Sequence, residues 1–300
     1  MKPNRFMLAL AALCFASGGA SAQQTDGKSV APKTYKAYMV SDAHLDTQWN
    51  WDVQTTIREY IPRTLFQNLY LMERFPDYRF SFEGGVVYSW MKEYYPMHYE
   101  RMKTYIASGQ WHIAGASWDA NDPNMPSAES FIRNILQGQE LYKREFGVRS
   151  TDIFLPDCFG FGYTLPSLAA HCGLIGFSTQ KLSWRKHDFF PDAPYHKKNP
   201  FSWGVWYGID GQSLMAAFDT GGYTAELPAD AGYNKDFIRR ASNGFDNTAM
   251  RYYSGGHLHG TTNCGDKGNS GTVTTARRMA EAMADPDAPV QLISATSDQL

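Results

Sequence analysis

The sequence contains little cysteine, and the spacing of what it has argues against one class of metal site. Of four cysteines, Cys14 lies in the N-terminal apolar run, which leaves Cys158, Cys172 and Cys264. None of these has C-x-x-C spacing, so a site built from thiolates is not expected. An odd number leaves room for one disulfide at most.

Long basic runs, internal repeats and low-complexity segments are also lacking. The net charge is −2, and the basic clusters are short pairs such as Arg185/Lys186. We therefore expect no nucleic-acid partner and no polybasic membrane surface. After residue 22 no apolar run is long enough to cross a bilayer, so no membrane span is expected in the mature chain.

Residues 1–22 have the pattern of a secretory signal peptide. Lys2 and Arg5 precede the apolar run FMLALAALCFA, and Ala20–Ala22 form a small-residue cleavage site. We expect residues 23–35 to be a flexible lead-in and residues 36–300 to form the folded domain. The protein is then expected to be exported, either to the periplasm or out of the cell.

Strand and helix patterns alternate through the 300-residue chain, whose 43% hydrophobic content is enough for a sizeable core. Predicted strands cover 36–41, 78–83, 111–116, 151–156, 175–180, 250–255 and 290–296. Predicted helices cover 55–75, 86–107, 127–146, 164–172, 235–243 and 272–284. Repeated β–α units favour a parallel sheet or barrel, and a hairpin turning at Asp210–Gly211 interrupts them.

Polar residues follow the predicted strands, where parallel α/β folds gather their functional groups. In chain order they are His44 and Asp46, Glu83, Asp119 and Asp122, Asp157, and finally His257, His259 and Asp266. Because loops are polar in any fold, this pattern supports the prediction without proving it.

Two short motifs could carry chemistry. In extended backbone, His44 and Asp46 point the same way, so both could bind one divalent cation; the alternative is loop hydrogen bonding. Asp157 lies in FLPDCFGFG, where Gly160 and Gly162 allow a tight turn. It could ligate the same metal, act as a nucleophile, do both, or simply close an Asx-turn.

The glycine-rich stretch 254–272 and two tryptophans are the remaining candidates. Asp266 is the best later carboxylate for an acid/base partner, and His257 or His259 could be a metal ligand, although the stretch could equally be a lid or a connection. Trp49 and Trp51 could form a stacking platform for a sugar; for Trp51 a core position is the better interpretation.

Four ordered motifs resemble glycoside hydrolase family 38, the retaining α-mannosidases. HLDTQWNW resembles the H-x-D-x-x-W motif, and NDPNMPSAES resembles D-x-N-x-P-S-G-E-S. LPDCFGFGYTLPSLAAHCGLIGFSTQKLSW resembles the nucleophile loop with its helix and strand, and CGDKGNSGT resembles a Gly-Asp-Gly-rich loop. The resemblance extends over residues 36–284.

The resemblance implies an α/β fold, a seven-stranded-type (β/α) barrel of mainly parallel strands with an inserted β-hairpin. It implies one Zn²⁺ held by His44, Asp46 and Asp157. It also implies Asp157 as nucleophile, Asp266 as acid/base, and Trp49 and Asp122 as substrate-binding residues. The implied substrate is a mannose-containing glycan.

The chain departs from the pattern in ways that affect what we expect of it. Ala120 and Ala128 stand where many relatives carry Glu and Gly, and the fourth zinc ligand, a downstream histidine, has no match. We expect a fragment whose C-terminal domains are missing. The alternatives are a catalytically incomplete sugar- or metal-binding remnant and a metal-dependent polysaccharide deacetylase, although the latter needs an H-x3-H or H-x4-H pair that is absent.

Overall fold

A computed structural model describes residues 35–179, 203–218, 227–234, 248–252, 268 and 271–299. The predicted signal peptide, almost all of the lead-in and the predicted helix 235–243 lie outside these ranges. The strands are β1 (Tyr35–Ala43), β2 (Phe80–Phe82), β3 (Trp111–Ile113), β4 (Asp152–Phe154), β5 (Gly176–Thr179), β6 (Trp203–Tyr207), β7 (Ser213–Phe218), β8 (Thr248–Tyr252) and β9 (Val290–Ala295).

The helices lie between these strands and follow the predicted order. Those longer than one turn are α1 (Ile61–Arg74), α2 (Gly85–Tyr94), α3 (Pro96–Ser108), α4 (Ala128–Phe146), α5 (Leu165–His171) and α6 (Val273–Met283). A helical turn, Val53–Thr55, and a π-helical segment, Thr56–Tyr60, lead into α1 without a break. A 3-10 turn, Ser297–Gln299, follows β9.

Strand β1 lies inside a five-stranded sheet in which all pairings are parallel. Its neighbours are β2, β8 and β9, and β2 pairs in turn with β3. Parallel strands end at the same edge of a sheet, so the residues that follow β1 and β2 come together there.

A second sheet has the order β4-β5-β7-β6. Strands β4, β5 and β7 run parallel, and β6 and β7 form an antiparallel hairpin that confirms the predicted one. Its turn contains Gly211 at φ +81°, a left-handed conformation that glycine adopts without steric cost.

The two sheets meet where β3 ends and β4 begins. The amide of Ala116 donates to the carbonyl of Asp152 (2.9 Å), and the amide of Gly115 donates to the Asp152 carboxylate (3.0 Å). The α/β architecture, the mainly parallel pairing and the inserted hairpin are thus confirmed. The described strands form two sheets, and no pairing among them closes these sheets into one seven-stranded ring.

Pro96 divides the region predicted as a single helix over 86–107. Helix α2 ends at Tyr94, and Tyr95 leaves helical geometry with φ −133° and ψ 49° before α3 begins at Pro96. Proline has no amide to donate and disfavours helical backbone in the residue before it. The single-helix prediction was therefore wrong, although the sequence carried the signal that breaks the helix.

Aromatic side chains account for much of the core between the first sheet and its helices. Trp111, Phe80, Phe82 and Tyr88 are each less than 2% exposed, and the Phe80 and Trp111 rings meet edge to face at 5.1 Å. Packing therefore explains a large part of the 15% aromatic content. In the part of the chain that the structure describes, no helix is long and apolar enough to cross a membrane.

Candidate metal centre

Three predicted ligands come together at the carboxyl ends of β1 and β4. His44 and Asp46 follow β1, and Asp157 follows β4 by three residues. One ligand atom from each of these side chains lies within 4.8 Å of the other two. The structure thus brings together residues that are more than a hundred positions apart in sequence.

His44 is held by carboxylates on both sides of its ring. Its Nε2 lies 3.0 Å from Asp46 Oδ1, and its Nδ1 lies 3.0 Å from Glu83 Oε1. Burial alone lowers the pKa of His44, but the hydrogen bonds and negative charges of Asp46 and Glu83 outweigh it and hold that pKa well above its ordinary value. A divalent cation at this position would take the place of the proton.

Asp157 is placed by a loop that packs against the segment after β3. The Cys158 thiol donates to the carbonyl of Asn121 (3.1 Å). Gly160, at φ +150°, lies so close to the Asn124 side chain that a Cβ would sit 3.2 Å from its Nδ2. The Asp157 loop and the NDPN segment therefore support each other.

Hydrogen bonds through threonine hydroxyl groups hold the segment that carries His44 and Asp46 in place. The Trp51 indole donates to Thr56 Oγ1 (2.7 Å), and that hydroxyl donates to the carbonyl of Thr47 (2.9 Å). The Thr47 hydroxyl in turn donates to Asp119 Oδ2 (3.2 Å). Asp119 thus lies beside the centre, and burial is the main cause that raises its pKa.

The two tryptophans occupy different environments, as predicted. Trp51 packs edge to face on Tyr60 at 5.0 Å and joins the core. Trp49 is 54% exposed and meets Trp51 edge to face at 6.0 Å. Trp49 therefore presents an accessible ring close to the ligand-bearing segment.

Asp122 lies in an exposed turn. Its Oδ1 accepts a hydrogen bond from the amide of Asn124 (2.9 Å), which is the Asx-turn arrangement. Its substrate-binding role stays a prediction. Asp266, His257 and His259 lie outside the described residues, and so does Cys264. Cys158 and Cys172 are free thiols.

Glu83 and Asp119 were noted as polar residues at strand ends but were given no role. The position of Glu83, directly after an apolar strand, was the signal that could have singled it out. What the sequence could not supply was the register that places this carboxylate against His44.

The donor set suits a divalent cation. An imidazole and two carboxylates are ligands that zinc and similar ions accept, and three protein ligands with an open fourth position are typical of catalytic zinc. The contact between Glu83 and Nδ1 leaves Nε2 directed toward the other two ligands, as in carboxylate–histidine–metal arrangements. The residues present therefore fit such an ion.

Residues 34–296 match the family description "Glycosyl hydrolases family 38 N-terminal domain". The chain belongs to glycosyl hydrolase family 38. This family-38 domain is 35% identical over 230 residues to α-mannosidase G of Dictyostelium discoideum. The matched region covers 74% of this chain and 19% of that protein. It is 32% identical over 245 residues to the α-mannosidase of Saccharomyces cerevisiae, covering 81% of this chain and 21% of that protein.

Two solved structures share the fold of this family-38 domain. An α-mannosidase from Enterococcus faecalis V583 matches with a TM-score of 0.66 and 19% identity, over 89% of this chain and 29% of that one. A 4-α-glucanotransferase from Thermococcus litoralis matches with a TM-score of 0.60 and 13% identity, over 87% of this chain and 39% of that one. The chain spans about a fifth of the length of the curated relatives it matches.

Proposed function

We propose that this chain supplies the metal-binding and nucleophile-bearing part of an exported, zinc-dependent, retaining α-mannosidase that removes terminal α-mannose from glycans. The observation that carries the proposal is the meeting of His44, Asp46 and Asp157 within 4.8 Å in a family-38 domain. The relatives named above are α-mannosidases, which supports mannose as the sugar.

His44, Asp46 and Asp157 would hold the zinc ion. When bound, the ion supplies a Lewis acid that can polarise and orient hydroxyl groups of the sugar. The nitrogen and carboxylate donors support zinc among divalent ions. The exposed ring of Trp49 would pack on the C–H face of the reacting mannose, and Asp122 would bind hydroxyl groups.

Asp157 would act as the nucleophile and Asp266 as the acid/base. A carboxylate oxygen of Asp157 attacks the anomeric carbon while the bond to the leaving oxygen breaks and Asp266 gives that oxygen its proton. Asp266 then takes a proton from water, which attacks the same carbon and releases Asp157. Retaining enzymes place the two carboxyl groups about 5–5.5 Å apart.

One contact supports the assignment of Asp266. Gly268, two residues further along the chain, donates its amide to the carbonyl of His44 at 2.7 Å. Two residues of chain span no more than about 7 Å. The described glycine two positions after Asp266 therefore contacts the segment that carries the candidate ligands, which supports a role for Asp266.

The wider architecture and the cell compartment are part of the same proposal. The hydrogen bonds from the amides of Gly115 and Ala116 to Asp152 support the inference that both sheets are sections of one seven-stranded-type barrel. The pattern of residues 1–22 supports export to the periplasm or out of the cell. The length of the relatives supports further C-terminal domains as partners of this one.

Hydrolysis of an aryl α-mannoside by this domain together with its proposed C-terminal domains tests the proposal. We expect Zn²⁺-dependent release of the phenol with α-mannose as the first product, and a loss of more than about a thousandfold in Asp157→Asn. Asp210→Asn, a hairpin-turn carboxylate outside the centre, is the matched control and should keep full activity.

Two other results would contradict the proposal and identify an alternative. Binding of Zn²⁺ and mannose with no hydrolysis, measured by calorimetry, would indicate a binding-only protein. Release of acetate from an acetylated glycan would indicate a deacetylase instead.

A further inference from the structure

Glu83 is brought to His44 by the register of two parallel strands. β1 and β2 pair with Asp42 opposite Ser81 and Ala43 opposite Phe82. The next pair in this register is His44 and Glu83, one residue beyond each strand. Their contact therefore follows directly from the sheet.

Gly115 of the neighbouring segment lies against Glu83. Gly115 has φ +66°, and a Cβ on it would lie 3.2 Å from Phe154 Cβ and 3.6 Å from Glu83 Cβ. Glu83 is 6% exposed and His44 is 3% exposed. The carboxylate is thus buried directly beneath the imidazole.

Fold stability alone does not account for a buried carboxylate at this position. Removing two charges from water costs free energy, and apolar side chains of similar size often replace a buried pair without loss of stability. The position of Glu83 relative to the two ring nitrogens of His44 gives a functional reason for burying this carboxylate. Glu83 Oε1 lies 3.0 Å from Nδ1, whereas Nε2 faces Asp46 and the other ligand, Asp157.

We propose that Glu83 is a positioning residue that holds His44 in the orientation and tautomer needed for metal binding. With the Nδ1–H donated to Glu83, the lone pair of Nε2 is available to the cation, and the ring cannot turn away without losing this hydrogen bond. The role rests on the metal site proposed above and extends it to a residue beyond the ligands.

Zn²⁺ titration of the 300-residue chain tests this role. In Glu83→Gln the side-chain amide can rotate and donate its N–H to Nδ1. The ring proton of His44 then lies on Nε2, where it competes with the cation. We expect Zn²⁺ affinity to fall by about 10- to 100-fold in this variant and further in Glu83→Leu. The control is Glu145→Gln, which removes a largely buried carboxylate of helix α4 that pairs with Lys92 outside the metal centre, and this variant should bind Zn²⁺ normally.

A second readout separates positioning from folding. The metal-free Glu83→Gln chain should keep the circular dichroism spectrum and the cooperative unfolding of the unaltered chain, because shape and volume are kept, although loss of the charge beside His44 should lower its melting temperature. Nitrogen-15 spectra of the zinc-bound, unaltered chain should show the proton of His44 on Nδ1.

Three results would overturn the inference. Zn²⁺ affinity within twofold of normal in both Glu83 variants would do so, and so would a His44 proton on Nε2. If the unaltered chain binds no Zn²⁺, the metal site itself fails, and the role of Glu83 fails with it.

Discussion

The amide of Gly268 donates a hydrogen bond to the carbonyl of His44 across 2.7 Å. This contact joins the glycine-rich stretch of the sequence to the end of β1, where the candidate ligands lie. Gly268 has φ +66°, and a Cβ on it would collide with Thr64 Oγ1 of helix α1. Thr64 is fully buried and already donates to the carbonyl of Tyr60 (2.9 Å), so it has little room to move.

Gly268→Ala should therefore destabilise the protein. A left-handed backbone costs about 1–2 kcal/mol for a residue with a Cβ, and the collision with Thr64 adds about 1–3 kcal/mol. Urea unfolding should show a loss of about 2–5 kcal/mol. Gly147→Ala is the control, because Gly147 has φ +72° with nothing within 4 Å, and it should lose only the backbone part. Equal losses in the two variants would contradict the close contact.

Trp49 and Trp51 should respond differently to replacement. Trp51→Ala should lower the free energy of unfolding by about 2–4 kcal/mol, because it removes a ring packed on Tyr60 and the hydrogen bond to Thr56. Trp49→Ala should change it by no more than about 0.5 kcal/mol, since the ring is 54% exposed.

Sugar binding should depend more on Trp49 than on Trp51. Calorimetry with a mannoside should detect weaker binding by Trp49→Ala, which loses an accessible ring near Asp46. Unchanged sugar affinity in a stable Trp49→Ala protein would remove Trp49 from the substrate-binding residues.

The hairpin turn should contribute stability that depends on pH. Asp210 accepts from Ser167 Oγ (2.5 Å) and lies 2.8 Å from His171 Nε2, both on helix α5. The hydrogen bond from Ser167 is the main cause that lowers the pKa of Asp210 from 3.8 to about 2. A carboxyl whose pKa is lowered by folding stabilises the fold above its unfolded pKa and loses that effect as pH falls toward its folded pKa.

The comparison of the unaltered chain with Asp210→Asn measures this effect. The difference in free energy of unfolding should be constant from pH 7 to about 5, and should narrow as pH falls below about 4. A difference that stays constant to pH 3 would show that the charge of Asp210 does not stabilise the hairpin.

The order of strands and helices could be predicted from the sequence because each depends on local periodicity. The three candidate ligands could be singled out as well, since His44 and Asp46 closely follow one apolar strand and Asp157 follows another by three residues. The contact between His44 and Glu83 could not, because it depends on how β1 and β2 are paired. Local patterns predict which face of a strand is buried, but they do not predict which residue of the neighbouring strand lies opposite a given residue.

Whether the sheets close into a barrel could not be predicted from local sequence patterns either. The hairpin was recognisable from its Asp210–Gly211 turn, but the pairing of β7 with β5 is a long-range property. The same holds for the hydrogen bond from the Ala116 amide to the Asp152 carbonyl. These contacts bring together segments that no short motif relates.

Calorimetric titration of the metal-free chain with Zn²⁺ tests whether His44, Asp46 and Asp157 form a metal site. We expect one tight site per chain, weakened at least about a hundredfold in each of His44→Ala, Asp46→Ala and Asp157→Ala. His171→Ala, which removes an exposed histidine outside the centre, should bind like the unaltered chain. Absence of Zn²⁺ binding, or binding that survives all three ligand substitutions, would contradict the proposed metal site.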